Sequence, residues 1–261
     1  MIPLHLIAPG QHRLTIESRL PEARRAYQVE GGRGLWPRNA DVVAVPLDEH
    51  LSRSASNLHR AIPLDAPPGL VSMDAEPHNL WHNAATRGEL PEGWPVALAS
   101  WVWSTRQRLR VSGDGWIMAA YPWPQRFRDA VRSPHVVRSS EMLAPVWSVC
   151  GAVTPSLYDL GDEHHATQAH LNLLRLTLAE ARRICDGHRL LLIPQVSPFV
   201  RGGYHLGLAP IDRWRRELEA IVGFGVDGVA LWLDAKSDPE MQAACHALDG
   251  EHGAVMREVC G

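Results

Sequence analysis

Two carboxylates stand one residue apart at the end of an apolar run, Gly69-Leu70-Val71-Ser72-Met73-Asp74-Ala75-Glu76. Successive side chains of a β-strand alternate faces, so Asp74 and Glu76 in extended backbone point the same way, about 7 Å apart along the chain. Paired carboxyl groups at the end of a buried strand are the equipment of glycosidic-bond hydrolysis. The plainer reading is that Asp-Ala-Glu-Pro opens a helix, with the acids favouring its N-terminal end. His78 and His82 stand i, i+4 beside the acids, and His164, His165 and His170 cluster farther on. Two imidazoles with two carboxylates offer a metal site of the kind used by hydrolytic deacetylases. HExxH is absent, and a chain with 14 histidines produces such spacings by chance. No metal and no other cofactor is therefore expected. No GxSxG nucleophile motif occurs either.

Groups of this kind need a rigid frame. Seven apolar runs rich in Val, Ile and Leu recur, at about 3–8, 41–47, 69–74, 115–121, 145–153, 189–196 and 227–233. Continuous apolar runs suit parallel strands covered on both faces. Between them, Leu171, Leu174, Leu178, Ala181 and Cys185 step by three and four after Asp162, a candidate cap. Ile211, Trp214, Leu218 and Ile221 or Val222 repeat the pattern, with Pro210 at the first turn and Gly223 and Gly225 beyond the end. Ala97, Trp101, Ser104 and Arg108 mark a third, weaker helix. Strand–helix alternation from end to end predicts a parallel barrel or a doubly wound sheet. No GxGxxG follows the first strand and no P-loop occurs, which disfavours nucleotide-binding versions. The Pro- and Gly-rich pieces at 63–69, 88–95 and 201–210 are short enough to be barrel loops, so residues 1–261 are expected to form one domain.

Bulk properties narrow the function classes. The chain has 261 residues, 45% hydrophobic and 21% charged, with a net charge of −3 and no long run of one sign. That gives no support for nucleic-acid or anionic-membrane partners. No stretch approaches the ~18 apolar residues of a membrane helix. The first residues, Met1 to Ala8, read as a strand rather than a secretory leader. Cys150, Cys185, Cys245 and Cys260 contain no CxxC pair; buried free thiols are expected, with Cys245–Cys260 the alternative as a disulfide. Synthesis in a reducing cytoplasm is the expectation. Release by cell lysis, carriage on a phage particle or a non-classical export route would then bring the protein to an external substrate.

Four blocks in order carry a family resemblance. Gly69 through Glu76, followed by Asn79-Leu80-Trp81, resembles the strand that bears the acid pair in animal and venom hyaluronidases. Trp147 and then Ala152-Val153-Thr154-Pro155-Ser156-Leu157-Tyr158 resemble a strand ending in that family's Pro-Ser-aliphatic-Tyr motif. Leu192-Ile193-Pro194-Gln195-Val196 with Leu208-Ala209-Pro210-Ile211-Asp212 resembles the next strand and helix start. Gly225-Val226-Asp227-Gly228-Val229-Ala230-Leu231-Trp232 resembles the last strand. The resemblance spans about residues 41–235. It implies an α/β fold, a single distorted TIM-like barrel with about seven mostly parallel strands.

The same resemblance implies roles. Glu76 would be the general acid/base, protonating the glycosidic oxygen and later activating water. Asp74 would orient the substrate's own 2-acetamido group, whose oxygen attacks the anomeric carbon in a retaining, substrate-assisted mechanism. Tyr158 would help hold that group, and Trp232 would close the floor of the sugar subsite. The implied partner is a polysaccharide containing N-acetylhexosamine.

The chain also departs from the family pattern. A second tyrosine is expected at Ala119, with Tyr121 two residues on and on the same strand face. The aromatic residue between the acids is Ala75, and the basic residue beyond them, the structural cysteines and the C-terminal appendage are missing. Ten tryptophans exceed what core packing requires, so Trp81, Trp116 and Trp123 join the groove candidates. Two other readings remain open: a catalytically silent barrel that binds glycan or serves as a structural component, and a metal-dependent hydrolase or deacetylase.

Overall fold

A computed structural model of the protein describes residues 2–7, 23–30, 62, 66–74, 88–90, 92–110, 115–121, 123–124, 133–157, 168–202, 205–233 and 238–261. Its centre is a parallel sheet of eight short strands. They are β1 (Leu4–Ile7), β2 (Arg24–Glu30), β3 (Leu70–Asp74), β4 (Ile117–Tyr121), β5 (Ala152–Val153), β6 (Leu191–Leu192), β7 (Gln195–Val196) and, after a hairpin of β8 (Phe199–Gly202) and β9 (His205–Leu208), β10 (Val229–Trp232). The order across the sheet is β6-β5-β4-β3-β2-β1-β10-β7. Its two end strands belong to one stretch of chain, interrupted only by Ile193 and Pro194. On one side Ile193 N donates to Val153 O (3.0 Å) and Gln195 N to Pro155 O (2.9 Å). On the other, Asp227 N donates to Leu192 O and Ala230 N to Pro194 O, both at 2.9 Å. Residues 191–196 thus form one stave paired on both edges, and the sheet closes into a ring of seven. Pro194 has no N–H to give the ladder, which is why this stave reads as two short strands.

Strand alternation sorts the side chains into two cores. Ile7, Ala26, Leu70, Ala119, Ala152, Ile193 and Ala230 point inward and form a compact cluster, with alanines filling the narrow interior. Their neighbours Leu6, Tyr27, Val71, Met118, Val153, Leu192 and Leu231 point outward into a larger core beneath the helices. Those helices are α1 (Trp94–Leu109), α2 (Ser133–Met142), α3 (Ala144–Trp147), α4 (Gln168–His188), α5 (Ile211–Gly223), α6 (Asp238–Asp249) and α7 (Glu251–Cys260). No helix among the described residues is long and apolar enough to cross a membrane.

The expected stripes of α4 and α5 are present. Leu174, Leu178, Ala181 and Cys185 are buried on α4, and Trp214, Leu218 and Ile221 on α5. Helix α1 turns a different face inward than expected. Trp101 is buried together with Trp94, Leu98, Val102, Thr105 and Leu109, while Arg108 is exposed. The α6–α7 junction depends on Gly253, where a Cβ would sit 2.0 Å from Leu248 O.

Three sequence expectations change. The second strand is Arg24–Glu30, and the 41–47 run lies outside the described residues. The 145–153 run holds α3 as well as β5, because a short buried apolar segment looks alike in helix and strand. The 201–210 segment, expected as a loop, carries the hairpin partner β9, with Phe199 opposite Leu208.

All four cysteines are free thiols. Burial pushes the thiols of Cys150 and Cys185 up to about 12 and that of Cys260 to about 11. A thiol with a raised pKa stays protonated below it, so at pH 8 fewer than about one in a thousand of these three is the reactive thiolate. A thiol reagent at pH 8 is expected to label the native protein at Cys245, the partly exposed cysteine, and all four after denaturation. Rapid native labelling of two or more sites would contradict the packing of α4 and α7.

Candidate active site

In parallel α/β barrels, the C-terminal ends of the strands and their following loops form the working face. Asp74 is the last residue of β3 and is half-buried. Leu70 belongs to the inner cluster, so alternation puts Ser72 and Asp74 on the inner face as well. The register sets Asp74 beside Tyr121 on β4 and beside Glu30 on β2. Tyr121 is buried and shares the inner face with Ala119. Trp232, the last residue of β10, is half-buried, packs on the inner cluster and is in register with Ile7 of β1. One carboxylate, one phenol and one indole therefore gather at the same end of the barrel.

Directly beneath them lies a polar layer. Gln195 and Ser72 are both fully buried, and Gln195 Nε2 donates to Ser72 Oγ at 2.7 Å across the interior, from the bent stave to β3. Ser156 bridges to Gln195 along the neighbouring stave. Gln195 Oε1, Thr154 Oγ1 and Ser156 Oγ are buried and have no hydrogen-bond partner among the described residues. Buried polar groups are ordinarily paired, so this layer retains hydrogen-bonding capacity just below the mouth. Below it, the apolar inner cluster seals the barrel.

The other candidates divide. Glu76, Tyr158 and Trp81 lie outside the described residues, as do His78, His82, His164 and His165. His170 sits on α4 outside the ring, bonded to Glu217 of α5 at 2.8 Å. No cluster of three or more His, Cys, Asp or Glu suited to a metal ion occurs among the described residues.

Trp116 and Trp123 do not line the mouth. Trp116 precedes β4, at the end opposite Tyr121, and packs on Tyr27 with ring centroids 5.6 Å apart. Trp123 is fully buried against Trp94 at 5.8 Å. Both are core residues of the outer layer, and a ring with so little exposed surface has no face to offer a sugar. The tryptophan surplus has the same explanation, since six of the eight described tryptophans are buried. The polar layer was the feature sequence reasoning missed. Its signal is a lone Gln or Ser inside an otherwise apolar strand, as in Leu-Ile-Pro-Gln-Val and Leu-Val-Ser-Met.

No protein-family model matches the chain, and no curated protein matches it in sequence. Solved structures do match in fold. Bee venom hyaluronidase in complex with a hyaluronic acid tetramer has a TM-score of 0.71 to this chain at 13% identity, covering 100% of both chains. A monoclinic crystal structure of bee venom hyaluronidase has a TM-score of 0.67 at 13% identity, covering 98% of this chain and 99% of the other. At that identity the likeness establishes a shared barrel fold, one used by a glycoside hydrolase.

Proposed function

We propose that the protein is a glycoside hydrolase of the endo-β-N-acetylhexosaminidase type, cleaving a polysaccharide that contains N-acetylhexosamine. The observation that carries this reading is Asp74 on the inner face at the C-terminal end of β3, beside Tyr121, with Trp232 at the same mouth. Glu76, two residues beyond Asp74, is the acid/base in this reading. It protonates the glycosidic oxygen, then takes a proton from the water that opens the cyclised intermediate. Asp74 accepts a hydrogen bond from the acetamido N–H, which increases the nucleophilicity of the amide oxygen. The substrate thus supplies its own nucleophile, outside the usual two-carboxylate scheme. Tyr158 supplies a hydroxyl to the same group, and the indole of Trp232 stacks on the apolar face of the sugar.

Ala119 occupies the position where the family resemblance expects a tyrosine. It is fully buried in the inner cluster and carries no hydroxyl. Tyr121, the next inward residue, stands beside Asp74 and is suited to the missing role. The loss at Ala119 is also what favours the second reading, a glycan-binding barrel without turnover. Screening against hyaluronan, chondroitin, chitin oligomers, peptidoglycan and bacterial capsules separates the two. Cleavage of one of them is expected, and Asp74→Asn should lower kcat about 100-fold or more, the usual cost of removing one group that stabilises transition-state charge. Binding of a glycan with no new reducing ends would favour the silent barrel. Full activity in Asp74→Asn would remove Asp74 from the chemistry.

A further inference from the structure

The polar layer beneath the mouth sits where apolar side chains would stabilise the barrel more. Three of its atoms, Gln195 Oε1, Thr154 Oγ1 and Ser156 Oγ, are buried with no hydrogen-bond partner among the described residues. Each gives up hydrogen bonds that it makes with water in the unfolded chain. An apolar layer of the same volume avoids that loss, and the inner cluster directly below is one. Polar groups kept at such depth against stability mark places where function constrains the sequence.

Gln195 is the member that spans the ring. It lies on the inner face, opposite Ala230 in the ladder, and Ser72 lies opposite Ala119. Their staves are far apart, with β4 and β5 between them on one side and β2, β1 and β10 on the other. Ladder hydrogen bonds hold each stave to its two neighbours, whereas spacing across the interior is set by side chains that meet there. The flanking alanines are too short to meet, and so are the side chains of Thr154 and Ser156. The 2.7 Å bond from Gln195 Nε2 to Ser72 Oγ is therefore the link that crosses the ring at this level among the described residues. It ends two residues below Asp74, on the same face of the same strand.

We infer that Gln195 is a positioning residue for the candidate site: through Ser72 it braces the acid-bearing end of β3 across the barrel. The inference rests on the glycosidase reading for its chemistry, but the brace itself is observable without substrate. A carboxylate that orients an amide for attack tolerates little displacement, since a shift of about 1 Å can cost about 100-fold in rate. Gln195 is fully buried a layer below the mouth, so it acts through Ser72 and β3 and not by touching the sugar.

The test is the double variant Ser72→Ala with Gln195→Met, measured beside Ser72→Ala alone. Methionine keeps the reach of the side chain and removes both polar atoms at its end. Ser72→Ala alone leaves the Gln195 amide without its acceptor and should lower Tm. The double variant removes both partners together and should melt at or above the wild-type temperature. Carbon NMR of the Asp74 carboxyl in the intact, substrate-free protein should show one sharp resonance in the wild type. In the double variant that resonance should broaden or double, because the end of β3 then samples more than one position. On the glycan that the wild type cleaves, kcat should fall about 10- to 100-fold with KM unchanged, the mark of lost transition-state geometry. A wild type that cleaves no glycan would defeat the proposed function, and the Asp74 resonance would still decide the brace. A single sharp Asp74 resonance in the double variant would overturn the inference, as would wild-type kcat. So would a double variant that melts well below the wild type, because the pair would then be a stabilising core contact.

Discussion

Glu76→Gln is expected to leave the barrel folded and reduce glycan cleavage by about 100- to 10,000-fold, the range for loss of a general acid/base. Glutamine keeps the size and polarity of the side chain but can neither protonate the leaving oxygen nor deprotonate water. A mechanism in which the substrate's acetamide attacks still needs a proton on the leaving oxygen, so the loss should appear in kcat. Glycan binding should survive, because the proposed stacking on Trp232 and the proposed hydrogen bond to Asp74 do not require a proton on residue 76. Steady-state rates of reducing-end release, with binding measured separately, distinguish the two effects. A variant retaining more than about a tenth of wild-type kcat would assign the acid/base role elsewhere.

Glu217→Ala should clearly destabilise the protein at a site remote from the mouth. Glu217 Oε1 accepts from Arg213 Nε and from His170 Nε2, each at 2.8 Å, tying α4 to α5. The side chains of Arg213, Glu217 and His170 are only 4%, 11% and 9% exposed. Removing the carboxylate takes a charged hydrogen-bond partner from a buried guanidinium, which costs about 1.5–3 kcal/mol. For a chain of this size that lowers Tm by on the order of 5 °C. Replacing the pair together, Arg213→Met with Glu217→Leu, removes both charges and should return most of the loss, because well-packed apolar side chains often replace a buried ion pair without penalty. Thermal unfolding of the three proteins is the measurement. If Glu217→Ala costs under about 1 kcal/mol, the network behaves like a solvent-screened surface pair instead.

The pattern of the sequence exposed the barrel better than its details. Leu4–Ile7, Leu70–Asp74 and Val229–Trp232 are predominantly apolar strands, and α4 and α5 show clean three–four spacing. Strand β2 was hidden because Arg24-Arg25-Ala26-Tyr27-Gln28-Val29-Glu30 mixes charged and polar residues among its apolar ones and shows neither a continuous apolar run nor a strict alternation. Its last residue, Glu30, is in register with Asp74. Positions beside a site depart from the apolar pattern that reveals a core strand.

The same principle governs the candidate site. Asp74 was legible because two acids at the end of an apolar run are conspicuous, and Tyr121 because strand parity links it to Ala119. The Gln195–Ser72 contact joins residues 123 positions apart, and only closure of the ring brings them together. Composition misled on the tryptophans, since abundance says nothing about exposure. Trp116 and Trp123 are spent on the outer core, whereas Trp232 owes its place to being the last residue of a strand.

The stereochemistry of the first product formed tests the central proposal most directly. Proton NMR of the cleaved polysaccharide, recorded before mutarotation, should show new reducing ends as the β anomer, matching the linkage that was broken. Attack by the substrate's acetamide followed by water requires that retention. Initial release of the α anomer would mean direct attack by water and would contradict the roles given to Asp74 and Glu76.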